Sequence, residues 1–314
     1  MDETRVSHDQ LFKELLRAFF REFMELFFPA VAARLDFSHV VLLDREVFTD
    51  VPEGALREPD LVARVNTQSG EPELILIHVE VQARRDRDFG ARMLEYYMLL
   101  QLRYKLPVFP IVLYLERGAG GLGADRYEQS LFETPILTFT YQRIGAPDLA
   151  AEEYLQTANP LAYGLAALMR PGERHAAEIK ANCLLQIARA LIDEARKVLL
   201  ANCVETYLRL DEGEQQLFER LVQQPDYEEV TEMQSVYEIK GEERGIAIGE
   251  VRGKRDAVLV LLRERFGDLP EPVEAHVHAL QDESELDELL RAALRAPSLD
   301  ALGLNGAIEN GQQS

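Results

Sequence analysis

Tryptophan is absent from the 314 residues, and cysteine occurs only at Cys183 and Cys203. Two cysteines set in helical apolar patterns make neither a disulfide framework nor a zinc cluster. They are expected to be buried small hydrophobes in a reducing, cytoplasmic compartment. No stretch approaches the ~18 uninterrupted apolar residues of a membrane-crossing helix, so no membrane partner is expected. The opening Met1-Asp2-Glu3-Thr4 lacks the basic-then-apolar layout of a signal peptide. No glycine loop ends in GK[ST], and no G-x-S-x-G, C-x-x-C or H-E-x-x-H run occurs. P-loop NTPases and α/β-hydrolases are therefore disfavoured.

Positive charge is the other shortage. The chain carries 34 basic and 55 acidic side chains, a net charge of −21. Phosphate contact needs cations, so a general nucleic-acid binder is usually basic. The imbalance is uneven: residues 1–150 are net −7 and residues 151–314 net −14. Any nucleic-acid surface is expected as a local patch in the N-terminal half. The length suggests about two domains at ~150 residues each.

The residue pattern predicts helix, three strands, helix, strand and strand, then helices. Leu11, Leu15, Phe19, Phe23 and Phe27 form one stripe from His8 onward, with Phe12, Leu16 and Phe20 beside it, and Pro29 ends the helix near Phe28. Strands are expected at His39–Phe48, Asp60–Asn66 and Glu73–Gln82. A helix follows over Arg84–Lys105, a buried-type strand over Val108–Leu115, a flexible loop over Gly118–Gly123 and a last strand over Ile136–Tyr141. This order implies an α/β fold with a mixed sheet flanked by helices, occupying residues 1–145, followed by an all-helical C-terminal half. Residues 146–235 read as a helical extension.

Gly241, Gly245, Gly249 and Gly253 recur every four residues across a linker at 236–252. The repeat suits a close helix contact between subunits. It also suits a weak solvated helix, which is favoured because each Gly costs ~1 kcal/mol against Ala. Residues 253–305 form a small helical domain, and 306–314 a disordered tail.

Chemistry concentrates on one strand. Side chains alternate along Leu74-Ile75-Leu76-Ile77-His78-Val79-Glu80-Val81-Gln82. Ile75, Ile77, Val79 and Val81 share a core face, and His78, Glu80 and Gln82 share the other. A carboxylate on an apolar strand is costly unless it is paired or metal-bound; the alternative is an edge strand with a solvated face. Asp60 opens the preceding strand, and a short turn at Gln68–Glu71 lets it return beside Glu80 or Gln82. Two converging carboxylates suit Mg²⁺ or Mn²⁺.

Pro59-Asp60, followed by Glu80-Val81-Gln82, resembles the PD-(D/E)XK nuclease signature with Gln in place of Lys. His8-Asp9-Gln10-Leu11-Phe12-Lys13 resembles the HDxxFK opening of the recombination-promoting nuclease and transposase-like families, whose signature strand ends in E-x-Q. Arg92-Met93-Leu94-Glu95-Tyr96 resembles their R-x-x-x-Y helix. The stretch from Leu261 through Arg265-Phe266-Gly267-Asp268-Leu269-Pro270 resembles a small helical domain often appended to them. The resemblance implies a PD-(D/E)XK nuclease fold and a Mg²⁺- or Mn²⁺-dependent DNA endonuclease linked to recombination or DNA mobility. It implies Asp60 and Glu80 as metal ligands and Gln82 as the residue orienting the attacking water.

Gln82 supplies no positive charge. Downstream Arg84, Arg85, Arg87 and Arg92 are candidates to compensate and to contact DNA, or are a solvated helix surface. Asp9, Lys13 and Glu14 are accessory candidates on the first helix, where Asp9 and Lys13 also suit an i,i+4 pair. His78 is a candidate proton carrier or a structural group. A second function class stays open, a catalytically inactive nuclease fold serving as an interaction module, favoured by the −21 charge and the missing Lys. A third has the acidic C-terminal half shielding the site. Homo-oligomerisation is expected through the C-terminal helices.

Overall fold

The apolar stripes of the first segment fold as two helices rather than one. The structure, a computed structural model, describes residues 3–43, 60–68, 74–82, 88–280 and 282–302. Helix α1 (Glu3–Ala18) gives way to α2 (Phe20–Phe27) at Phe19, whose backbone leaves helical values at φ −127° and ψ 30°. A side chain from far along the chain meets the backbone at this kink. Arg196 donates to the Ala18 carbonyl at 2.6 Å, and its guanidinium lies 4.1 Å from the centre of the Phe19 ring. The predicted stripes are nonetheless the core: Phe12, Leu15, Leu16, Phe19, Phe20, Phe23, Met24 and Phe27 are all buried. Pro29 opens the one-turn α3 (Pro29–Ala32).

The strands are β1 (Leu35–Leu43), β2 (Leu61–Thr67), β3 (Leu74–Gln82), β4 (Val108–Tyr114), β5 (Leu122–Leu131) and β6 (Thr134–Gly145). They form one mixed sheet in the order β1-β2-β3-β4-β6-β5. β1, β2 and β3 make an antiparallel meander. Helix α4 (Phe89–Tyr104) then carries the chain over to β4, which lies parallel to β3, the crossover that parallel neighbours require. β6 is parallel to β4, and β5 hangs on β6 as a hairpin. The chain is thus α/β with a six-stranded mixed sheet.

β5 departs from the expected flexible loop and single last strand. Its residues are almost all exposed, so no apolar alternation marks it. Lys105 ends α4 in the left-handed conformation at φ 57°.

Both faces of the sheet are covered where β3 and β4 run. Phe89, Met93, Tyr96 and Leu100 of α4 are buried, and Phe89 and Met93 pack with Val112, Tyr114, Phe139 and Tyr141. On the opposite face Phe28 stacks edge-on against Phe109 at 5.3 Å. β3 is therefore an interior strand, not the solvated edge that sequence left open.

After β6 the chain is helical: α5 (Ala151–Leu155), α6 (Pro160–Leu165), α7 (Ala176–Arg189), α8 (Glu194–Tyr207), α9 (Glu212–Val222), α10 (Glu228–Phe266), α11 (Glu271–Ala279) and α12 (Glu283–Arg295). Two compact units result, Met1–Met233 and Gln234–Ser314. The helical extension belongs to the first unit. Besides the Arg196 contact, Asn159 donates to the Glu22 carbonyl at 2.7 Å, and Tyr207 meets Phe12 edge-on at 5.4 Å. In the second unit Val258, Leu259, Leu262, Val277, Leu286 and Ala293 form a core. The four-residue glycine repeat lies within α10, where the side chains of 236–250 are outside the described residues, as is the 303–314 tail. Among the described residues no helix is long and apolar enough to cross a membrane.

Two predictions follow from this packing. A Cβ on Gly164 would sit 2.8 Å from Leu200 Cδ2 and 3.5 Å from Leu200 Cα. Gly164→Ala should therefore cost about 1–3 kcal/mol by overpacking, read by urea unfolding; an unchanged midpoint would mean that α6 and α8 do not approach so closely. The loop after β4 is held by Asp148, which accepts from Gly118 N–H at 3.0 Å and Gly120 N–H at 2.7 Å. These backbone donors hold its carboxyl below the ordinary carboxylate value. A lowered native pKa contributes stability that is complete above the unfolded value of about 4 and is lost as pH falls through the native value. Asp148→Asn should destabilise at neutral pH and converge on wild type in acid, and a pH-independent difference would refute this.

Candidate functional site

Leu61 pairs with Val79 across the antiparallel β2–β3 ladder. One step further sets Asp60 opposite Glu80. The two residues then satisfy each other's strand end. Asp60 N–H donates to Glu80 Oε1 at 3.2 Å, and Val81 N–H donates to Asp60 Oδ2 at 2.7 Å. These bonds offset the cost of bringing two carboxylates to the rim of a packed sheet. Glu80 is only 4% exposed.

Helices from both faces bring cations and donors to this pair. Lys13 on α1 lies with Nζ 3.2 Å from Asp60 Oδ1. Arg92, in the first turn of α4, donates from Nη2 to Gln82 Oε1 at 3.1 Å, and its guanidinium lies 5.1 Å from the centre of the Phe89 ring. With its oxygen so engaged, Gln82 presents its Nε2 donors to any ligand. His78 is wholly buried. Its Nε2 lies 3.0 Å from Glu80 Oε1, and its ring meets Tyr96 edge-on at 5.2 Å. An ionised carboxylate only accepts, so Nε2–H is the donor in this tautomer, and His78 Nδ1 is buried without a hydrogen-bond partner.

Asp60, His78, Glu80, Gln82, Lys13 and Arg92 thus form one cluster. Glu14 is exposed and accepts from Gln10 at 2.7 Å. The Asp9 side chain and Arg84, Arg85 and Arg87 lie outside the described residues. Arg103 is eleven residues beyond Arg92 on α4, about 16 Å along the axis. Arg64 is four residues from Asp60 along β2, about 13 Å. Among the described residues, Lys13 is the cation that meets Asp60, and Arg92 is the one that meets Gln82. The Lys13 contact is tertiary, and only the HDxxFK spacing hints at it. Tyr96, buried on α4, is the wall against which His78 packs.

The donor set is hard oxygen from two carboxylates, which fits a divalent ion completed by water or phosphate oxygens. Among the described residues no group of three His, Cys, Asp or Glu side chains forms a ligand set. Cys183 and Cys203 are free and wholly buried. Burial pushes both thiols up, that of Cys203 to about 12, so neither is a thiolate nucleophile at neutral pH.

Asp60→Ala removes both the Val81 acceptor and the partner of Lys13, and should cost about 1–3 kcal/mol. Asp60→Asn keeps an acceptor oxygen and should cost less. Equal losses in denaturant unfolding would mean that the Val81 hydrogen bond is not what Asp60 contributes to stability.

No family model, curated protein or solved structure matches this chain.

Proposed function

We propose that the chain is a metal-dependent DNA endonuclease of the PD-(D/E)XK type, hydrolysing phosphodiester bonds. The observation that carries the reading is the meeting of Asp60 and Glu80 across the β2–β3 register, with Lys13 on one carboxylate and Gln82 two residues from the other. The sequence resemblance adds the link to recombination or DNA mobility, by association alone.

Asp60 and Glu80 would hold Mg²⁺ or Mn²⁺. When bound, such an ion lowers the pKa of water and neutralises charge on a phosphodiester oxygen. The remaining roles belong to the chain. Lys13 supplies the positive charge that Gln82 lacks, against the charge developing on the phosphate. Gln82, its amide oxygen fixed by Arg92, offers N–H donors that orient the attacking water. His78 restrains one oxygen of Glu80, so the carboxylate turns as a unit with β3. The helical extension holds α1, and with it Lys13, through Arg196.

A second reading, an interaction module on a nuclease-like fold, is favoured by the internal satisfaction of the site. Glu80 Oε1 already receives His78 and Asp60 N–H, and Asp60 already meets Val81 and Lys13.

Supercoiled plasmid incubated with protein and Mg²⁺ or Mn²⁺ should be nicked or linearised, and chelator should stop it. Glu80→Gln and Asp60→Asn should abolish cleavage, and Lys13→Ala should slow it by about 10²-fold. Cleavage that survives both carboxylate substitutions, or no cleavage with either metal, would favour the interaction module.

A further inference from the structure

The sheet has two edges, and they differ. β1 is irregular: its pairing with β2 shifts register between Asp36 and Val41. There Asp36 accepts from Ser38 N–H at 2.9 Å and from Ser38 Oγ. Such a bulge blunts an edge against further pairing. β5, at the other end, runs ten residues without proline and keeps one register with β6 from Leu122 to Gln129. Only its last two residues fall beyond the shift at Gln129 and Ser130.

The β5–β6 hairpin also carries exposed apolar residues. Leu122, Leu131, Phe132 and Ile136 are 47%, 60%, 93% and 64% exposed. Phe132 sits at the turn with φ 54°, a conformation costly for a side chain of its size.

Charge on β5 is arranged along the strand. Tyr127 faces α4, its ring 3.1 Å from where a Cβ on Gly90 would lie. Arg126 and Glu128 flank it on the other face, opposite the exposed Thr140 and Thr138 of β6. Asp125 is engaged by Arg143. Arg126 and Glu128 are exposed and have no ion-pair partner among the described residues.

We propose that a second copy of this chain pairs its β5 antiparallel against this edge, with the two-fold axis at Tyr127. In that register Arg126 of each copy stands opposite Glu128 of the other, twice by symmetry. Leu122 then lies beside the turn that carries Phe132 of the other copy, placing exposed apolar side chains near each other at both ends. Registers centred on Arg126 or on Glu128 instead set like charges face to face, which is destabilising. The strand is self-complementary in the one register and frustrated in its neighbours. Two six-stranded sheets become one continuous sheet, an isologous contact that closes on itself. This dimer is independent of the nuclease reading and does not use the C-terminal helices.

The test is light scattering on the full-length protein after size exclusion, across the micromolar range at physiological salt. Wild type should be dimeric. Arg126→Glu and Glu128→Arg should each raise the dimer dissociation constant at least about tenfold, because each creates two like-charge oppositions. The double variant Arg126→Glu/Glu128→Arg restores both pairs and should recover the wild-type constant to within about threefold. All three alter exposed side chains, and unchanged thermal unfolding of the monomer would confirm intact folding. Monomeric wild type, dimers indifferent to either single reversal, or a double variant no tighter than the singles would each overturn the proposal.

Discussion

The register between β2 and β3 is the constraint on which the rest of the site depends. Side chains alternate along a strand, so a slip of one residue would turn Asp60 away from Glu80 and bury the wrong face of β2. Leu61, Ala63 and Val65 are buried on that strand, as is Val79 opposite Leu61. Hydrophobic burial thereby fixes the position of two polar groups that it does not itself favour. The carboxylates contribute in return, since each accepts a backbone N–H of the other strand at the sheet rim.

Around this pair the described residues balance charge locally. A net charge of −21 opposes any polyanion at long range. At the site, however, one ammonium and one guanidinium arrive from helices on opposite faces of the sheet. Salt screens the distant acidic surface more than it screens such close, half-buried contacts.

Much of the site was legible in the sequence, because its parts lie on strands with plain periodicity. The Val and Ile run of β3 and the short return from β2 were enough to place Asp60 near Glu80. What escaped depended on tertiary contact. β5 has no apolar alternation because eight of its ten residues are exposed and only Asp125 and Tyr127 are half-buried, so its strand pairing leaves little trace in composition. The kink at Phe19 has no glycine or proline to announce it, and the Arg196 contact that meets it comes from far along the chain. The sequence leaves the face of His78 and Glu80 either solvated or paired, because burial of β3 on both sides requires knowing that β4 and α4 return to it. Arg92 is a candidate for DNA contact, charge compensation or solvated surface in the sequence, and only the fold shows that it donates to Gln82, ten residues away.

The contact between Ala18 and Arg196 spans 178 residues of chain. During synthesis, β1 to β6 have all emerged before α8 exists, so the sheet and its carboxylates precede the brace that sets α1. Until residue 196 leaves the ribosome, α1 lacks that anchor. The residues that brace α1, Arg196 and Tyr207, are therefore synthesised only after every strand of the sheet that carries Asp60 and Glu80.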